Sequence, residues 1–134
     1  MKATIYVEPY PKGRPRVAMV GKHTIAYTPK KTRISEADIK ASIRREIAKA
    51  GRFGAGEALV LWVTFFVVRP KNAPKRVRHP VKRPDLDNYL KTLLDALDKF
   101  AFPDDSQIVN IHAKKAFAAE GTSPRIVIVL ERQE

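Results

Sequence analysis

There is no cysteine anywhere in the 134 residues. That excludes disulfides, thiolate zinc sites and a cysteine nucleophile, and it fits a reducing compartment. No basic-then-apolar leader opens the chain, so no secretory signal is expected. The longest near-continuous apolar run, Ala58 to Val68, is too short to cross a bilayer. Internal repeats and an interdomain linker are also missing. These absences point to a cytoplasmic protein of one domain, 1–134, with no membrane partner.

What is abundant is positive charge. Twenty-six Lys and Arg face fourteen acids, for a formal net charge of +12 and a pI near 10.2. Such a surface suits a polyanion. The densest stretch, RPKNAPKRVRHPVKR at 69–83, holds seven cations and no acid, and its three prolines forbid a helix. A flexible basic loop of this kind suits a phosphate backbone better than a bilayer, which favours a basic amphipathic helix. A merely solubilising surface is the plain alternative. Arg76 and Arg78 in this loop, Arg14 and Arg16 in the proline-rich PYPKGRPR segment, and Lys30 and Lys31 are candidate DNA contacts. A solvated charged loop explains each equally well alone.

With 44% apolar residues the chain can build a core, and a domain of this size buries roughly two-thirds of its unfolded surface. ATIYVE (3–8) alternates as a strand, and VAMV and HTIAY flank Gly21-Lys22 as a hairpin. Ser35 and Asp38 form a capping-box pattern, followed by Ile39, Ile43, Ile47 and Ala50 at helical spacing up to Gly51. EALVLWVTFFVV (57–68) is apolar on both faces, which predicts a central strand covered on both sides, one of them by helices, with a second subunit one candidate to cover the other. A second helix is expected from about 87 to 100, on a stripe of Leu90, Leu93, Leu94, Leu97 and Phe100. SQIVNIHAKKAF and RIVIVLE complete the pattern. The expected class is α+β: a mostly antiparallel or mixed sheet with two helices packed on it.

Against this basic background, six of the seven aspartates lie between Asp85 and Asp105. Ordinary roles exist for each. Asp85 or Asp87 can cap the helix, Asp95 can pair with Lys91, and Asp104-Asp105 can be turn residues. Only one residue can be the N-cap, however, and Pro84 favours an extended entry in which Asp85 and Asp87 share a face. Asp105 begins a helix length away, and joins them only if the following strand returns beneath the helix. If the three do converge, the repulsion among carboxylates demands a cation. Oxygen-only ligands favour Mg²⁺ or Mn²⁺, ions suited to phosphodiester hydrolysis. Lys91, one turn after Asp87, would then face the scissile phosphate or the attacking water.

The series DLDN at 85–88, Lys91, DAL at 95–97 and DDSQI at 104–108 resembles the RusA-type crossover junction endodeoxyribonucleases, many of them from phages and prophages. PKGRPRV at 11–17, YTPKKT at 27–32 and Lys115 ahead of a PRIVI strand extend the resemblance over nearly the whole chain. It implies a magnesium-dependent homodimer that nicks opposed strands of four-way junctions, in a bacterial or phage setting. It also implies essential carboxylates at Asp85, Asp87 and Asp105, with Asp104 the alternative to Asp105, and a functional lysine at Lys91. Asn88 matches a polar position beside the second aspartate. Pro84 stands where some relatives carry a basic residue, leaving Lys82 and Arg83 to supply that charge. The rival expectations are a non-catalytic DNA-binding protein and a nuclease of broader taste for flaps, single strands or RNA.

Overall fold

The computed structural model describes residues 1–11, 16–27 and 30–134, with the side chains of 16–17, 25–27 and 31–32 outside the description. Arg14 lies outside the described residues, as do the side chains of Arg16 and Lys31. Strand β1 is Lys2–Ile5, β2 Arg16–Val20, β3 His23–Tyr27, β4 Leu59–Val67, β5 Ile108–Phe117 and β6 Arg125–Arg132. Helix α1 is Lys30–Ala50 and α2 is Leu86–Leu97.

The main sheet has the order β1-β6-β4-β5, with β4 at its centre between β6 and β5. β6 runs antiparallel to both β1 and β4, whereas β5 runs parallel to β4, with Trp62 opposite His112 and Val67 opposite Phe117. The sheet is therefore mixed, and the α+β reading holds. The parallel pair follows from the connection. A strand that leaves β4 through a long loop and a helix re-enters the same sheet as a crossover, which makes the next strand parallel. β2 and β3 form a separate two-stranded sheet turned at Gly21, whose φ of 62° suits glycine.

The core lies between the main sheet and the two helices. From the sheet it takes Ile5, Leu59, Leu61, Val63, Phe65, Ile126, Ile128 and Leu130; from the helices come Ile39, Ile43, Leu93 and Leu97. Odd-numbered residues of β4 face this core, as strand alternation requires. The opposite face carries Trp62, Thr64, Phe66, Val127 and Val129, and no helix packs on it among the described residues. Trp62 is 39% exposed there and stacks on His112, with ring centroids 5.5 Å apart.

Helix α1 begins at Lys30, five residues before the expected cap. Ser35 is instead an interior, buried residue whose hydroxyl has no partner among the described residues. No Pro or Gly interrupts Lys30–Ile34, so nothing stops the helix from extending back through it. Gly51, at φ 80°, ends it as expected. Helix α2 ends earlier than the stripe suggested, because Lys99 turns into the left-handed region at φ 59°. Phe100 follows beyond that turn, under the Arg44 guanidinium.

Leu93 is fully buried where α2 meets the sheet. Leu93→Ala is expected to lower the unfolding free energy by about 2–5 kcal/mol, measured by urea denaturation. A loss below about 1 kcal/mol would mean that α2 is not anchored in the core in this way.

Candidate active site at the two ends of helix α2

The acidic window divides between the ends of one helix. At the N-terminal end, Asp85 occupies the cap position with φ −69° and ψ 149°, but its side chain makes no capping hydrogen bond. Its backbone carbonyl accepts the N–H groups of Asn88 and Tyr89. Capping therefore does not account for the Asp85 carboxylate. Asp87 sits in the first turn, where negative charge is favoured by the helix dipole. Lys91 Nζ lies 3.9 Å from Asp87 Oδ2, and both side chains are well exposed. A pair so exposed contributes little to stability. Asn88 is half-buried, and its carbonyl accepts the Thr92 hydroxyl.

The segment leading into Asp85 is fastened from below. Lys115 Nζ donates to the carbonyl oxygens of Lys82 at 2.9 Å and Pro84 at 3.0 Å. The start of the basic loop is fastened as well. Arg69 donates to the carbonyls of Val77 and Pro74, at 2.7 and 2.8 Å, and its guanidinium lies over Phe117. The loop is thus tied at both ends rather than free, a correction to the flexible loop expected from composition. Its many prolines and lack of periodicity concealed tethers that come from β5 and from its own first residue. Arg76, Arg78, Lys82 and Arg83 are all exposed on it, and Lys30 is exposed at the start of α1.

At the C-terminal end of α2 a second acidic group forms. Asp98, Asp104 and Asp105 bring carboxylate oxygens within 4.8 Å of one another, the one such trio of potential metal ligands among the described residues. Asp98 Oδ1 accepts the Asp105 N–H at 3.0 Å. Gln107 closes a capping box on Asp104 and donates through Nε2 to the carbonyls of Gly54 and Glu57, which ties the turn to the approach of β4. The negative charge of Asp98 pushes the Asp105 carboxyl above its ordinary range, helped by burial and by Asp104. The Ser106 hydroxyl, by donating to Asp104, holds that carboxyl below its ordinary range.

Asp105 therefore does not join Asp85 and Asp87 within one chain. Twelve residues of helix separate the two groups, about 18 Å at 1.5 Å per residue. The strand after the turn does run back beneath α2, but Asp105 stands at its start. β5 delivers Lys115, not Asp105, to the neighbourhood of Asp85. Sequence reasoning also passed over Asp98 as a polar-face residue. The signal for it was its place at the helix end, one turn segment before Asp104-Asp105.

Residues 7–131 match the family described as Endodeoxyribonuclease RusA. The chain belongs to the RusA family. It is also 28% identical over 137 residues to "Uncharacterized protein YqaN" of Bacillus subtilis (strain 168), an alignment covering 97% of this chain and 94% of that protein. RusA membership implies nuclease action on Holliday junctions. An acidic cluster able to hold a cation is present, as divalent-metal chemistry requires of a RusA protein. No helix among the described residues is long and apolar enough to span a membrane.

The crowding at Asp105 has a measurable consequence. Its raised pKa means that, without metal, its charge opposes folding at neutral pH. The penalty is fully present above the folded pKa and vanishes as pH falls below the unfolded value of 3.8. In EDTA, Asp105→Asn is expected to melt slightly higher than the parent at pH 7, with the difference closing by about pH 3. A variant that melts lower at pH 7 would show that Asp105 is not repelled by its neighbours.

Proposed function

We propose that this protein is a divalent-metal-dependent homodimer that resolves four-way DNA junctions by paired nicks in opposed strands. Asp85, Asp87 and Lys91 of one protomer and Asp105 of the other form each active site. The observation that carries this reading is the separation of the two acidic groups by the length of α2. A single chain can present only half of a site at either end of its sheet. A two-fold axis that sets the Asp85 end of one protomer against the Asp105 end of its partner creates that contact twice. Two equivalent sites result, matching the approximate two-fold symmetry of a junction.

The residues fit the expected cation. The proposed ligands Asp85, Asp87 and Asp105 are all carboxylates, with no nitrogen or sulfur donor among them, and like charges at Asp105 already favour a positive neighbour; such donors select Mg²⁺ or Mn²⁺. When bound, the ion supplies an activated water and charge stabilisation at the phosphate. Asp85 and Asp87 of one protomer, with Asp105 of the other, would hold the ion. Lys91, whose ammonium lies 3.9 Å from Asp87 Oδ2, would present it to the non-bridging phosphate oxygens. Arg76, Arg78, Lys82 and Arg83 bind the flanking backbone, with Arg14, Arg16, Lys30, Lys31 and Asn88 as further contacts.

A second reading has a specific observation behind it: Asp98, Asp104 and Asp105 alone could hold the ion. The Asp98 and Asp104 carboxylates already accept hydrogen bonds from the Asp105 N–H and the Ser106 hydroxyl, which favours a structural role for these two.

A labelled four-way junction incubated with Mg²⁺ is expected to show paired nicks that EDTA abolishes. Asp85→Asn and Asp87→Asn should remove cleavage while retaining binding, since they subtract negative charge from a phosphate-binding surface. Binding without cleavage under any divalent metal would instead mark a non-catalytic DNA-binding protein, and equal cleavage of flaps or single strands a broader nuclease. Changing Arg76 and Arg78 together to Ala should weaken junction binding and reduce the slope of log K against log salt by about two. An unchanged slope would remove the basic loop from the DNA interface.

A further inference from the structure

Behind the basic loop lies a pocket of about 490 Å³ that the cleavage reaction does not use. Its floor is apolar and aromatic, made by Val67, Phe117 and Tyr89, and its outer wall is the loop itself, with Val77 and Pro80. Lys82 and Arg83 stand at its lip, and Glu8 is the one acid in its lining. Tyr89 is almost fully buried and stacks on Phe65 at 5.5 Å between ring centroids, so the floor is rigid. The walls are held open by tethers already described: Arg69 to the carbonyls of Pro74 and Val77, and Lys115 to those of Lys82 and Pro84. Further backbone bonds, from Ala73 to Pro70 and from Val77 to Pro74, shape the loop between them. Ligand pockets have this character: a few hundred Å³, mostly apolar, with a small number of placed polar groups.

We infer that this pocket takes one unpaired nucleobase from the strand being cut. The inference rests on the function proposed above. Pro84, in the pocket wall, is bonded directly to Asp85, so an occupant here is a near neighbour of the phosphate at the carboxylates. The free cations, Lys82 and Arg83, stand at the lip, whereas the Lys115 ammonium inside the lining is taken up by the Lys82 and Pro84 carbonyls. That distribution suits a nucleotide, whose phosphate is anionic and whose base is flat and weakly polar, better than an aliphatic or acidic ligand. Bases stack favourably on aromatic faces, and withdrawal of a base from its neighbours costs least where pairing is already broken, as at a branch point. Glu8 offers an acceptor to the amino group of a base. The pocket would thus favour junctions over intact duplex by rewarding a base that only a branch point frees.

The test places 2-aminopurine at each position flanking the branch point of a four-way junction, with EDTA present. Binding of the parent protein is expected to raise fluorescence several-fold at one position. Ala73→Trp, which fills the pocket from the loop, should abolish that rise and narrow the preference for junction over duplex, while affinity for intact duplex is retained. No rise at any position, or an equal rise with A73W, overturns the inference. A second measurement needs no variant. Titration of the parent with dAMP, followed by methyl NMR, should shift Val67, Ala73, Val77 and Val81 selectively. Shifts that are absent or centred on the Trp62 face overturn the proposal, as do shifts of these methyls on simple dilution, which would mean that a second copy fills the pocket. Junction nicking with no base response sinks the pocket alone, whereas loss of metal-dependent nicking with the dAMP shifts intact sinks the nuclease reading alone.

Discussion

The length and stiffness of α2 is the constraint on which the arrangement depends. The helix is fixed to the sheet by Tyr89, Leu93, Ala96 and Leu97, all buried on one side. It cannot bend to bring Asp85 toward Asp105. Each end is also fixed independently, by Lys115 beneath the Asp85 approach and by Gln107 beneath the Asp104-Asp105 turn. Two acidic groups about 18 Å apart on a rigid rod cannot share one ion within a single chain, which is the ground for the proposed division of the site between two protomers. The apolar face of β4 and β6 opposite α2 carries no packed helix among the described residues.

Much of this was legible in the sequence, and for identifiable reasons. The two-sided apolar pattern of β4 announced a central strand, and Gly21, Gly51 and the leucine stripe of α2 marked a turn, a stop and a buried face. The acidic window was visible by contrast with a chain of net charge +12. What was not legible was long-range geometry. Whether β5 would bring Asp105 back to Asp85 depends on which point of the strand faces the helix start, and no local pattern encodes that register. The Ser35-Asp38 signal misled because a serine three residues before an acid is compatible with a helix interior as well as with its start. The tethers from Arg69 and Lys115 to backbone carbonyls were equally hidden, since carbonyls leave no mark in a sequence.

The charge distribution follows the same logic at larger scale. Loop 69–83 carries seven of the 26 cations in one dense stretch, and five of the seven aspartates sit in two small groups at the ends of α2. A polyanion is attracted over a broad surface while the carboxylates remain local enough to bind a small cation beside it. Lys91 belongs to both populations, near Asp87 yet exposed to an incoming phosphate. The RusA family match accords with this division of labour between holding DNA and cutting it.

The central claim is that each site is shared between two chains, and subunit mixing tests it most directly. One chain carries Asp85→Asn and Asp87→Asn, the other Asp105→Asn, and each alone is inactive. After co-refolding, random pairing makes half of the dimers mixed, each with one intact shared site, so nicking should return to about a quarter of the parent level. If Asp85, Asp87 and Asp105 acted within one chain, no combination would contain a complete site, and the mixture would stay as inactive as its parts.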